Sequence, residues 1–166
     1  LRNGKRQHTQ LCLTNKEVLR LVTDSVAVWF ERYPEAHVLS VSQDDNTLNC
    51  QCDDCRKIDD EEGSASGTMI RFVNAVAANF PDKTISTLAY QYTRKPSKIK
   101  PADNVLITLC SIECDRSAPI EEKCTDFAAD LIGWKAQTEH IRIWDYTTQF
   151  TNFLAPFPNI RTLQPN

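Results

Sequence analysis

The sequence predicts an α/β fold, a partial (β/α)8 barrel of about five parallel strands alternating with helices. Three observations carry this. Apolar segments with strand and helix periods follow one another in the order β-α-β-α-β-(loop)-β-α-β, with a long polar crossover between the third and fourth strands. The ends of four strands carry the same kind of residue: Ser42-Gln43-Asp44-Asp45, Tyr90-Gln91-Tyr92, Cys110-Ser111-Ile112-Glu113 and Trp144-Asp145-Tyr146. Barrel mouths are built from such acidic and aromatic strand ends. Finally, there are only four glycines and no G-x-G-x-x-G or P-loop, which argues against dinucleotide and nucleotide folds. A doubly wound sheet is the alternative that this alternation also allows.

Each element has a local reason. Gln10-Leu11-Cys12-Leu13 is a short apolar run and reads as a buried strand. Thr14 or Asn15 caps a helix whose apolar set, Val18, Leu19, Val22, Val26, Trp29 and Phe30, recurs at helical spacing until Pro34 closes it. His37 to Gln43 is the second strand, ended by Asp44-Asp45-Asn46. A polar loop with three cysteines runs to Gly63, and a helix from Ser64 or Ser66 carries Met69, Ile70, Phe72, Val73, Val76 and Phe80 as far as Pro81. Thr84 to Tyr92 and Asn104 to Cys110 are the third and fourth strands, rich in β-branched residues. Cys114 to Cys124 is loop, Asp126 to Gln137 a helix, and Ile141 to Tyr146 the fifth strand. The tail, with Pro156, Pro158 and Pro165, is irregular, with Ile160 to Leu163 the one short strand candidate. Five strands do not close a barrel of eight, so this reading makes the chain a segment of a longer protein, a single central portion spanning 1–166.

Composition narrows the function classes. Hydrophobic residues make up 41% and charged residues 25% of the 166, as in soluble globular chains. The formal net charge of −3 and the lack of a long basic stripe disfavour a nucleic-acid partner. No apolar run approaches the ~18 residues of a membrane span. The basic clusters Lys5-Arg6 and Arg94 to Lys100 read as solvated loop charge.

The candidate chemistry lies at the strand ends. Glycosidic bonds are cleaved by two carboxyl groups flanking the scissile bond, one a proton donor and the other a base or nucleophile. Asp44, Asp45, Glu113 and Asp145 are the strand-end carboxylates that can converge on a mouth. Strand alternation favours Asp44, on the parity of Ser40 and Ser42, as the inward residue. Tyr90 with Tyr92, and Trp144 with Tyr146, share strand faces and suit stacking on sugar C–H surfaces. Trp29 and Trp134 fall in helical patterns and read as core. His8, His37 and His140 precede strands, away from the mouth, and no Ser-His-Asp order is present.

Seven cysteines are many for this length. Cys50-x-Cys52-x-x-Cys55 can chelate one zinc, with a fourth ligand from Cys110, Cys114 or a histidine. The same thiols can instead form disulfides, for example to Cys114 or Cys124. Either role fixes the loop beside the site. The acidic residues Asp53, Asp54 and Asp59 to Glu62 disfavour a thiolate nucleophile by like-charge repulsion.

Several stretches taken together resemble a known family. They are Gln10-Leu-Cys-Leu-Thr-Asn15, Ser42-Gln-Asp-Asp-Asn46 with the cysteine triplet, and Arg71-Phe-Val-Asn-Ala-Val-Ala77. Thr87-Leu-Ala-Tyr-Gln-Tyr-Thr-Arg94, Asn104-Val105, Leu109-Cys-Ser-Ile-Glu-Cys114, Ile143-Trp-Asp-Tyr146 and Pro156-Phe-Pro-Asn159 complete the set. The chain resembles an uncharacterised bacterial domain family found in secreted glycoside-hydrolase-like proteins, often beside a small α/β domain like the one preceding α-glucuronidase and hexosaminidase barrels. The resemblance spans nearly the whole chain. It implies the central part of a catalytic (β/α)8 barrel, a carbohydrate substrate and an extracytoplasmic location. The family's single Asp before the cysteine triplet matches Asp45, which is therefore ranked ahead of Asp44.

The resulting expectation is a glycoside hydrolase-like domain with Asp45 or Asp44 as general acid and Glu113 as its partner. Tyr90, Tyr92, Trp144 and Asp145 line the sugar site. The rest of the polypeptide completes the barrel, no cofactor is required, and a structural zinc at Cys50, Cys52 and Cys55 is the metal candidate. Two other classes compete with it: a non-catalytic carbohydrate-binding domain and a zinc-stabilised structural or interaction module.

Overall fold

The computed structural model describes residues 2–148, 150–157 and 159–166. Its centre is a four-stranded parallel sheet in the order β1-β2-β3-β4, with β1 Val38–Ser40, β2 Thr84–Ala89, β3 Val105–Cys110 and β4 Ile141–Trp144. Helix α1 (Lys16–Arg32) precedes β1. Helices α2 (Asp53–Glu62) and α3 (Ser66–Ala77) connect β1 to β2, and α4 (Ile120–Lys123) and α5 (Thr125–Lys135) connect β3 to β4. The β2–β3 crossover has only a turn of 3-10 helix, Gln91–Thr93, and irregular chain. The short α6 (Ile160–Leu163) lies near the end.

Local signals set the helix ends. The Asn15 side chain accepts from the Glu17 and Val18 amides at 2.8 and 3.1 Å, and so caps α1. Helix α2 places Asp53 and Asp54 in its first turn, where the dipole favours negative charge, and stops at Gly63, whose φ of 75° is left-handed. Gly67 has a different role. A Cβ there would collide with the Cβ and Cγ of Glu62, so the glycine permits the close approach of α2 to α3. Gly67→Ala is expected to lower unfolding stability by about 1–3 kcal/mol, measurable by denaturant titration.

The strand register sorts the sheet into two unlike faces. Leu39, Ile85 and Val105 align across the sheet, as do Thr87, Ile107 and Ile141, and then Ala89, Leu109 and Ile143. On this face the strand residues Ile85, Ala89, Val105, Ile107 and Leu109 pack with Val26 and Phe30 of α1, Ile70, Val73 and Val76 of α3, and Phe127 and Trp134 of α5. The opposite face carries Ser40, Ser86, Leu88, Leu106, Thr108, Cys110, Arg142 and Trp144. It is mixed, with a polar centre: the Ser86 and Thr108 hydroxyls are 3.1 Å apart, and Arg142 Nη2 donates to Thr108 Oγ1 at 3.1 Å. Leu88 and Leu106 stand outside the apolar core and remain half-exposed. The helices thus cover one face of the sheet, and the other carries polar and apolar side chains together.

Several expectations need correction. Gln10 to Leu13 is not a strand: it makes no sheet pairing, the Gln10 side chain bonds the 44–46 backbone, Leu11 is exposed and Cys12 joins a thiol cluster. The sheet therefore has four strands rather than five among the described residues. The segment carrying Cys55 is helix α2, not loop; it lacks an apolar period because only Cys55 on it is buried. Residues 120–123, within a segment read as loop, form α4. Ile160 to Leu163 is a helical turn, closed by Thr162 Oγ1 donating to the Asn159 carbonyl at 2.8 Å. Trp29 is half-buried at the edge of the core, whereas Trp134 lies fully inside it. Pro158, assigned to an irregular tail, lies outside the described residues.

Candidate functional site

All four strands run the same way, so their carboxyl ends meet at one edge of the sheet. The segments leaving them carry Asp44 and Asp45 (after β1), Tyr90 and Tyr92 (after β2), Ser111 and Glu113 (after β3), and Asp145 and Tyr146 (after β4). Parallel α/β proteins place their sites at this end.

Asp45 and Tyr90 meet directly. The Tyr90 hydroxyl donates to Asp45 Oδ1 at 2.9 Å and accepts from Gln91 Nε2 at 2.9 Å. Burial raises the Tyr90 pKa, and the Asp45 hydrogen bond and the Asp45 and Glu113 charges add to the effect. Tyr146 is pushed up to about 12, first by burial and then by its neighbours Cys110, Tyr90 and Glu113, with Arg116 opposing. Cys110 is pushed up to about 11 by burial and by Glu113, against Arg142 and Tyr146. Asp45 and Tyr90 are in contact, while Cys110, Glu113 and Tyr146 are linked to them through charge. The Cys110 thiol is protonated at neutral pH and is no nucleophile there.

Two arginines organise the acids. Arg94 reaches Asp130 at 2.7 Å, Asp126 at 2.6 Å and Glu113 at 3.5 Å, with only 15% of its side chain exposed. Burial opposes its charge, but the hydrogen bonds to Asp126 and Asp130 outweigh that. Arg94 is thus a buried organiser and not the solvated loop charge expected of this stretch. Its backbone carbonyl accepts from Trp134 Nε1 at 2.7 Å, which ties it to α5. Arg116 lies 5.0 Å from the centre of the Tyr146 ring, with its Nε 3.5 Å from Asp145 Oδ1. Ser111 Oγ donates to the same Asp145 oxygen at 2.6 Å.

The Arg94 guanidinium and the Phe127 amide hold the Asp126 carboxyl below its usual range. A depressed carboxylate adds stability above its unfolded pKa and loses it as pH falls through the folded value. Asp126→Asn is therefore expected to be slightly less stable than wild type at pH 7, by under about 1 kcal/mol because the Asp126 carboxylate is largely exposed. The difference should vanish in acid, which denaturant titration at two pH values checks.

The sequence-predicted residues divide here. Tyr90 and Tyr92 do not share a strand face, because β2 ends at Ala89 and Gln91 turns to a φ of 50°. Tyr90 faces Asp45. Tyr92 is half-buried and its pKa is raised by burial and by Asp59 and Asp44. It borders a cleft of ≈ 640 Å³ between α1 and the edge of the sheet, lined also by Leu13, Val22, Trp29, Leu39 and Asp44. Asp44 and Asp45 therefore belong to different surroundings. Trp144 is 51% exposed beside Tyr146, and beyond them the Tyr146, Phe150 and Phe153 rings follow one another at 5.7 and 6.0 Å.

The cysteines form a second centre. Cys12, Cys50, Cys52 and Cys55 bring their sulfurs within 4.8 Å of one another. The fourth member is Cys12, not Cys110, Cys114 or a histidine, and its signal was hidden in a run that looked like a strand. The triplet is not bridged to Cys114 or Cys124, the example pairing of the disulfide alternative, and these two cysteines instead influence each other. None of the seven cysteines forms a disulfide. Sulfurs bound to one tetrahedral zinc at ~2.3 Å lie about 3.8 Å apart. Cys12 Sγ lies 3.7 Å from Cys52 Sγ and 3.9 Å from Cys55 Sγ. The Thr14 hydroxyl stands 3.3 Å from both Cys12 and Cys55 sulfurs.

The thiols are not alike. Burial raises Cys12 and Cys55. Burial works upward on Cys52 too, but the Cys55 amide and the surrounding Cys55, Thr14 and Cys50 groups bring it down to about 6. Cys52 is the N-cap of α2, where a helix favours negative charge. The expected repulsion from Asp53 does not prevail, because that side chain points to solvent. Four cysteines so placed can bind a metal ion such as zinc.

A comparison with protein families matches residues 1–166 to a domain of unknown function, DUF4838. The chain belongs to this family. Neither a curated protein nor a solved structure matches it. Among the described residues no helix is long and apolar enough to cross a membrane.

Proposed function

We propose that this chain is the central portion of a (β/α)8 barrel that hydrolyses glycosidic bonds in an extracytoplasmic protein. The observation that supports the reading is the Tyr90–Asp45 hydrogen bond at the carboxyl ends of four parallel strands, with Glu113, held by Arg94, on the segment that leaves the third strand of the sheet. The sequential strand order favours a barrel over a doubly wound sheet, in which the order reverses and helices cover both faces. The polar face of Ser40, Ser86, Thr108 and Arg142 then becomes inner wall, and the apolar cleft between α1 and the β1 edge suits a further parallel strand from the same polypeptide.

In this reading Asp45 is the general acid. Tyr90 holds Oδ1, which leaves Oδ2 to deliver a proton to the glycosidic oxygen. Glu113, steadied by Arg94, is the partner carboxylate that activates water or attacks the sugar carbon. Trp144 and the ring row from Tyr146 to Phe153 offer apolar surfaces for sugar C–H faces, and Asp145 accepts from a sugar hydroxyl.

A glycan array combined with assay of reducing-end release by the intact protein tests the reading. Release of sugar is the expected result. Binding without release by the wild type would make this a non-catalytic carbohydrate-binding domain. The cysteine tetrad favours a second reading, a zinc-stabilised structural or interaction module. Stoichiometric zinc with neither sugar binding nor release would establish that module in its place.

A further inference from the structure

The two centres are joined through one short segment. Gln10, two residues before Cys12, clamps the backbone after β1. Its Nε2 donates to the Asp44 carbonyl at 2.7 Å and to the Asn46 carbonyl at 3.1 Å, and its Oε1 accepts from the Asp44 amide at 3.0 Å. Next along, Thr9 Oγ1 donates to the Leu48 carbonyl at 3.2 Å. The segment 9–12 therefore runs against 44–50 and shares its cysteine cluster. The loop that carries Asp45 has exposed side chains at Asp44 and Asp45 and no regular structure of its own. Something outside the loop must hold it.

We infer that Cys12, Cys50, Cys52 and Cys55 bind one zinc ion, and that this centre acts through Gln10 as a latch fixing the backbone of residues 44–46. Zinc displaces the protons that the four sulfurs still carry, which pass to solvent, and holds four sulfurs at a single point. Three of those sulfurs sit just after the loop and the fourth arrives with Cys12. The metal thereby pins both ends of the contact that Gln10 completes. Thr14, with its hydroxyl 3.3 Å from two of the sulfurs, supplies a hydrogen bond to the bound thiolates. Gln10 is a positioning residue: it reaches backbone and touches no reacting atom. The metal site stands on the sulfur geometry alone. Only the catalytic consequence, the setting of Asp45, rests on the glycosidase reading.

The test uses no sugar. Metal-free, reduced intact protein is titrated with cobalt(II) and then zinc, and amide exchange is followed at residues 44–48. One equivalent of cobalt should produce the intense visible bands of a tetrahedral thiolate site, and zinc should bleach them. Cys12→Ser should weaken cobalt binding at least about tenfold. Gln10→Ala should leave the cobalt spectrum unchanged, yet speed exchange of the Asp44 amide about tenfold, since that amide loses its acceptor. If Cys12→Ser does not fold, the wild-type titration and Gln10→Ala still decide. Absence of a tetrahedral thiolate spectrum would overturn the metal site. Unchanged exchange at residues 44–48 in Gln10→Ala, or on metal removal from wild type, would overturn the latch. Failure of glycoside hydrolysis changes neither readout.

Discussion

Replacing Asp45 by Asn should lower glycoside hydrolysis by the intact protein about 10²–10⁴-fold, the usual contribution of a positioned proton donor. Asparagine keeps the size of the side chain and an oxygen for the Tyr90 hydroxyl, but it has no proton to deliver. The loss should therefore fall on turnover and leave sugar binding nearly unchanged. Glu113→Gln should cause a loss of similar order, because each carboxylate serves the same bond from its own side. Asp44→Asn is the internal control. Its neighbourhood is Tyr92 and the α1 cleft, and its backbone is held by Gln10. It should lower activity far less than either of the others.

The largest stability effect is expected at Trp134. Its ring is 1% exposed, and Nε1 donates to the Arg94 carbonyl at 2.7 Å. Trp134→Ala should cost about 3–5 kcal/mol in unfolding free energy from lost burial and the cavity left behind. For a chain of this size each kcal/mol moves the Tm by about 2–4 °C, so calorimetry should show a fall of roughly 6–20 °C. The same change leaves the Arg94 carbonyl without its donor and frees the backbone that aims its guanidinium at Glu113. Trp134→Phe separates these contributions: it keeps most of the apolar volume, loses only the hydrogen bond, and should cost about 1–2 kcal/mol.

The elements with strong periods were legible in the sequence. The cap at Thr14 or Asn15, the apolar stripe of α1 and Pro34 mark that helix from cap to stop, with Asn15 the cap, and the runs read as strands at 84–92 and 104–110 hold strands at 84–89 and 105–110. The elements without a period were not. Helix α2 buries one residue, Cys55, so its polar sequence looks like loop. The run at 10–13 has the composition of a strand, but Leu11 is exposed, Cys12 joins the thiols, and the side-chain bonds of Gln10 to the 44–46 backbone have no sequence period. That error also hid Cys12 as the fourth member of the cluster. The strand reading runs three residues past Ala89, to Tyr92, whereas Gln91 turns the chain and separates Tyr90 from Tyr92. Arg94 lay in a Lys/Pro-rich stretch that reads as solvent-facing charge, whereas three acids from distant positions surround it.

The most direct test of the proposed chemistry is reducing-end release from a panel of glycans by the intact protein, wild type against the Asp44→Asn/Asp45→Asn double variant, with glycan binding measured in parallel. Release by the wild type and its loss in the double variant, with binding kept in both, is the expected result. Full release by the double variant would contradict it, because the proton donor would then have to come from elsewhere.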